Sequence, residues 1–126
     1  MITLGKIKIV DTFYDVIFWR DFKALQEHAK ARDLRYLHEK EKWEPLDGYC
    51  DYSAKELHVF RDEFTSEKYF NMTLTHEITH AFLYEIGFTH HDDEDLIDKI
   101  SKWLPRLEEI VNQGKGLIEN ARTKEE

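Results

Sequence analysis

Lys6-Ile7-Lys8-Ile9-Val10 alternates polar and apolar positions with β-branched side chains, and this predicts a half-buried strand. From Phe13 to Trp19 the apolar density rises and the period becomes ambiguous between strand and helix. Phe22, Leu25 and Ala29 then follow helical spacing behind Asp21, a good N-cap, which predicts a helix from about Asp21 to Arg32. Lys40 to Leu46 is charged, contains Pro45 and reads as loop. Gly48 to Phe60 reads as two extended pieces meeting near Ser53-Ala54-Lys55, a hairpin without the favoured Asn-Gly turn, with Leu57 to Phe60 the stronger strand. A long helix is expected from Ser66 to Ile86, with Phe70, Leu74, Ile78, Ala81 and Phe82 on its apolar side and Gly87 as its C-terminal cap. After a loop from Phe88 to Asp92, a last helix begins near Asp93, its stripe formed by Leu96, Ile97, Ile100, Trp103, Leu104, Leu107, Ile110 and Val111. Pro105 lies inside that stripe and predicts a kink or a restart. Residues 114–126, with Gly114, Gly116 and mixed charges, read as a frayed tail behind a single domain of residues 1–113. The expected class is α+β, a small sheet packed on the long helix with the last helix beside it.

Composition narrows the setting. The 126 residues suffice for one packed domain, and the 41% apolar and 13% aromatic fractions fit a globule rather than a disordered chain. A net charge of -8 argues against nucleic acid or an anionic membrane as the main partner. Cys50 is the only cysteine, which rules out an internal disulfide and makes a reducing cytoplasm the expected compartment. Neither a signal-peptide layout at Met1 to Lys6 nor a membrane-length apolar run is seen.

The chemistry gathers at His76-Glu77-Ile78-Thr79-His80. Histidines at i and i+4 lie one turn apart on one helix face, so both imidazoles can reach a single metal ion, and Glu77 can aim a carboxylate at its water. Catalytic zinc usually takes a third protein ligand. Glu94 and Asp98, again four apart, offer carboxylates on the next helix, although on the side opposite its apolar stripe, so a ligand there must meet the metal at the lip of a cleft. Their plain reading is a solvated acidic helix start favoured by the helix dipole. His90 and His91 are the other candidates for third ligand. Tyr49, Tyr52, Tyr84, His90 and His91 lie within reach as oxyanion partners, with Tyr52 and Tyr84 preferred.

Glu94-Asp95-Leu96-Ile97-Asp98, fourteen residues after His80, resembles the second helix of the thermolysin-like metallopeptidases, the gluzincins. With the Gly48-Tyr49-Cys50-Asp51-Tyr52 hairpin, the His76 to Glu85 stretch and a Glu94 helix ending near Leu104-Pro105, the chain more closely resembles small zincin-like proteins of phages and mobile elements, related to the ImmA/IrrE metallopeptidases. The resemblance covers Gly48 to Leu107 and implies a minimal zincin-like fold. It implies Glu94 as third zinc ligand and Asp98 as acceptor from the non-ligating nitrogen of His76. Two departures stand out: Asp93 occupies a position where larger gluzincins often have Asn, and their later catalytic histidine has no match here.

The expected activity is therefore zinc-dependent hydrolysis of a protein or peptide substrate, with Glu77 as general base. Leu57 to Phe60, preceding the metal helix, is expected to be an edge strand able to pair with an extended substrate. The alternatives are a non-catalytic, zincin-shaped binding protein, and a structural zinc site closed by His90 or His91. His28, His38 and His58 read as surface residues, and Cys50 as a small core residue.

Overall fold

The computed structural model describes residues 1–32 and 45–125. Most of the loop expected over Lys40 to Leu46, and His38, lie outside them. Strands β1 (Ile2–Ile9), β2 (Thr12–Trp19), β3 (Gly48–Asp51) and β4 (Glu56–Phe60) form one mixed sheet in the order β1-β2-β4-β3. β2 and β4 are parallel, and the two outer strands pair antiparallel with their inner neighbours. Among the described residues the helices are α1 (Phe22–Ala31), α2 (Glu67–Glu85) and α3 (Glu94–Glu125), so the class is α+β.

Strand alternation sends side chains to two faces, each covered by a helix. Ile17, Trp19, Tyr49 and Phe60 pack with Leu25 and Ala29 of α1. Tyr14, Cys50 and Leu57 pack with Ile9 and with Ala81 of α2. This double cover explains why Phe13 to Trp19 showed no clean period: β2 has buried residues on both parities, as a strand does when both of its faces are dry. It also corrects the expected edge. Leu57 to Phe60 lies inside the sheet, its backbone paired with β2 on one side and β3 on the other, so it has no free edge to offer a substrate. The edges are β1 and β3.

β1 is longer than expected, starting at Ile2, with an irregularity in register between Thr3 and Gly5. The hairpin turn falls at Tyr52 to Lys55 as expected. Asp51 Oδ1 accepts the Ala54 N–H at 3.0 Å, and Lys55 takes the positive φ of 57° that an Asn-Gly turn would have supplied more easily. Asp21 caps α1 and Ser66 caps α2, each through a side-chain oxygen. α2 closes at Gly87, whose φ of 79° lets the N–H groups of Gly87 and Phe88 bond back to Tyr84 and Leu83.

Two helix expectations change. Phe82 faces solvent; the buried residues of α2 are Glu77, Thr79, His80, Ala81 and Leu83. Beyond Gln113, where a frayed tail was expected, α3 continues as one element to Glu125 with Pro105 inside it. His58 is also not a surface residue but fully buried. Among the described residues no helix is long and apolar enough to cross a membrane.

Candidate metal centre

α2 lies on the sheet with Glu77 toward β3 and with His76 and His80 turned toward the start of α3. Gly48, the first residue of β3, makes this close approach possible. A Cβ on Gly48 would stand 2.6 Å from the His58 carbonyl oxygen, 3.1 Å from Thr73 and 3.2 Å from Glu77 Oε2. Glu77 thus occupies a core position, only 6% exposed, and among the described residues no hydrogen bond ends on its carboxylate. Burial pushes its pKa up to about 7, against the pull of His80 and His76.

The start of α3 is fixed by Asp93, whose carboxylate accepts the Leu96 N–H at 3.1 Å, and by Ile97, fully buried. Glu94 and Asp98 therefore face His76 and His80 across the gap between the helices. The orientation of each imidazole is set from its far side. His80 Nδ1 lies 2.6 Å from the His91 backbone oxygen, which can only accept, so Nδ1 carries the proton. His76 Nδ1 lies 2.9 Å from Asp98 Oδ1, an ion-pair distance whose negative charge favours a proton on that nitrogen. In the neutral tautomers both Nε2 atoms are then bare lone pairs.

Those lone pairs converge. The two Nε2 atoms are 3.2 Å apart. Glu94 Oε2 is 2.7 Å from His76 Nε2, and Glu94 Oε1 is 3.2 Å from His80 Nε2. Only positive charge satisfies such an array, either protons on the imidazoles or a metal ion. Held by protons, the array shifts the titrations strongly. Burial alone would lower His76, but the bond to Glu94 and the charges of Glu77, Glu94 and Asp98 push it up to about 9. His80 is raised for similar reasons, again against burial, with Glu94 the largest contributor. Burial would raise Glu94, yet its bonds to the two histidines pull it down to about 2.

The donor set also fits a metal. One ligand atom from each of His76, His80 and Glu94 lies within 4.8 Å of the others. Zinc bonds of about 2.0–2.1 Å in a tetrahedron put neighbouring ligands about 3.3 Å apart. The spacings of 3.2 Å between His76 and His80 and between His80 and Glu94 are close to that, and the 2.7 Å between His76 and Glu94 is the length of a charged hydrogen bond. The cluster sits at a lip, as expected from the exposed side of the acidic helix: the Glu94 side chain is 59% exposed, that of His80 only 7%.

The remaining candidates fall elsewhere. Among the described residues the His90 and His91 rings are not part of the donor group; His91 contributes its carbonyl, while its ring meets Tyr52 and Tyr84 edge-on. The Tyr52 hydroxyl donates to Asp92 Oδ1 at 2.8 Å and sits 3.2 Å from His80 Nδ1, the edge away from Nε2. Tyr84 stacks on Tyr52 at 4.4 Å and lies beneath the Lys55 ammonium. In this conformation Tyr52 meets His80 at the edge away from the point where the lone pairs converge, and Tyr84 backs Tyr52. Tyr49 stacks on His58 on the opposite face of the sheet.

Sequence reasoning missed Gly48, Asp92 and the His91 carbonyl. A glycine opening a strand just before the metal helix was a readable sign of close backbone approach. The other two roles depend on loop geometry and leave no pattern in sequence.

No protein-family model matches the chain, and neither a curated protein nor a solved structure matches it significantly.

Proposed function

We propose that this chain is a zinc-dependent peptidase of minimal zincin type, acting on a protein or peptide segment in the cytoplasm. The observation that supports it most is the convergence of two imidazole Nε2 atoms and the Glu94 carboxylate, with His80 Nδ1 bonded to the His91 carbonyl and His76 Nδ1 beside the Asp98 carboxylate. His76, His80 and Glu94 would hold the ion. Asp98 and the His91 carbonyl would keep the two imidazoles in the ligating tautomer. Bound there, zinc supplies the Lewis acid that polarises a scissile carbonyl and acidifies a water. Glu77 would accept the proton of the attacking water as the C–O bond forms and then return it to the amide nitrogen, which leaves as the amine when the C–N bond breaks. Its burial beneath β3 keeps the carboxylate basic, and a cation beside it favours the ionised form the step begins from.

The runner-up is a zincin-shaped docking protein without catalysis, with or without the metal. It is favoured by Tyr52, whose hydroxyl meets His80 at Nδ1 rather than standing where an oxyanion would form.

Native mass spectrometry of the full chain tests the metal set. One zinc per chain is expected, lost in Glu94→Ala and kept in His91→Ala. No zinc in the wild type after zinc addition overturns the peptidase and leaves the docking reading. Retained zinc together with a partner-binding activity that survives Glu77→Gln overturns the peptidase alone.

A further inference from the structure

The last two-thirds of α3 touches little of its own domain. From Lys102 to Arg122 every residue except Gly114 is exposed. Most helical stability in proteins comes from packing of an amphipathic face, which this stretch lacks within the single chain, and Pro105, Gly114 and Gly116 weaken it further. Its surface is nonetheless patterned. Leu104, Leu107, Val111, Gly114, Ile118 and Ala121 alternate at spacings of three and four, continuing the register of buried Ile97 and half-buried Ile100. That is a heptad seam. Trp103, Ile110 and Leu117 widen one side of it, Glu108, Lys115 and Arg122 line the other, and Pro105 falls outside it.

We propose that α3 pairs antiparallel with α3 of a second copy of this chain. Three observations select that occupant and that direction. First, in the antiparallel register centred between Asn112 and Gln113 every layer is apolar or small: Leu104 opposes Ala121 and Val111 opposes Gly114, large against small, while Leu107 opposes Ile118, aliphatic against aliphatic. Second, the same register sets Glu108 against Lys115 on one flank and Ile110 against Leu117 on the other, in both symmetry-related halves. A parallel pair would instead place Ile110 against Lys115 and Leu117 against Arg122. Third, the area suffices. Trp103, Leu104, Leu107, Ile110, Val111, Leu117 and Ile118 are each about half exposed or more. At roughly 100 Å² each, they offer ~700 Å² per copy, near the ~800 Å² per partner of a stable interface. Antiparallel pairing also sends the two globular domains to opposite ends of the pair.

The mass of the full chain in solution, by light scattering or sedimentation up to millimolar concentration, tests the proposal. A dimer is expected. Leu107→Lys combined with Ile118→Lys should give a monomer whose near-ultraviolet circular dichroism is unchanged, because both positions are exposed within the single chain. A wild type that stays monomeric overturns the pairing, whatever else binds the stripe. Direction is read by cross-linking. Val111→Cys chains mixed with Gly114→Cys chains should form a covalent dimer that neither forms alone, with Cys50 buried and inert; efficient cross-linking of each variant with itself overturns the antiparallel register. Glu108→Lys should weaken the dimer about tenfold, and adding Lys115→Glu should restore it. Failure of restoration overturns the flank assignment.

Discussion

Histidines gather on both sides of this sheet, and the two gatherings obey opposite rules. On the α1 side the fully buried His58 accepts from Trp19 Nε1 at 2.8 Å through Nδ1 and gives its Nε2 proton to Glu56 Oε1 at 2.9 Å. Tyr49 stacks on it at 4.2 Å. Every lone pair meets a proton and every proton a lone pair, so neutral His58 is complete as it stands. Between α2 and α3 the pairing is uneven: acceptors hold the protons at the outer nitrogens, and lone pairs are left facing lone pairs at the centre. The first arrangement stabilises a fold. The second stores an affinity for positive charge.

Two substitutions should separate these roles with the largest effects. His80→Ala is expected to weaken zinc binding by at least 100-fold, measured by competition with a chromophoric chelator. His58→Ala should leave zinc affinity unchanged and cost about 3 kcal/mol in urea unfolding, since it opens a cavity and strands the Trp19 N–H. Zinc loss in His58→Ala at full folding would break the comparison.

The pH dependence of the metal-free protein should carry both signatures with opposite signs. Burial lowers His58 to about 4, below its ordinary value near 6.5. Its contribution is fully present above pH 6.5 and is lost as pH falls toward 4, up to about 3 kcal/mol. His76 is raised to about 9, so its contribution is fully present below pH 6.5 and is lost as pH rises through 9. With Glu94 largely exposed, that alkaline loss should be nearer ~1 kcal/mol, and saturating zinc should abolish it. A denaturation series from pH 4 to 10, with and without zinc, reads both arms.

These differences also mark what sequence could and could not convey. The spacing of His76, Glu77 and His80 and that of Glu94 and Asp98 are properties of single helices, so each set was legible before any fold was known, whereas the choice of Glu94 over His90 or His91 as the histidines' neighbour rested on the resemblance. The α+β class and the hairpin were legible for the same local reason. His58 was not, because its partners Trp19 and Glu56 come together only through the parallel pairing of β2 with β4, a contact without local signature. The interior place of β4 depends on that same pairing. The length of α3 was hidden by Gly114 and Gly116, whose low helix propensity outweighed a seam that becomes plain once the helix is seen.

Gly48 joins the two sides of the sheet, since an added methyl group would press on the His58 carbonyl from one direction and on Glu77 from another. Gly48→Ala should cost about 2 kcal/mol, because the nearest atom is backbone and cannot rotate away. It should also lower any peptidase rate more than zinc affinity, since Glu77 moves while the three ligands stay. Equal losses in both would mean that the strand positions the whole site rather than Glu77.

The smallest effect should come from Asp98. It sits 2.9 Å from His76 Nδ1, yet its side chain is 69% exposed, so water can replace much of what it provides. Asp98→Asn keeps an acceptor at that distance and removes the charge; zinc affinity should fall about tenfold. If the amide turns its nitrogen toward Nδ1 instead, His76 must take the other tautomer and its Nε2 lone pair is lost. The fall would then approach that of removing the ligand. The size of the Asp98→Asn effect thus distinguishes a carboxylate that merely adds basicity from one that chooses which nitrogen of His76 faces the metal.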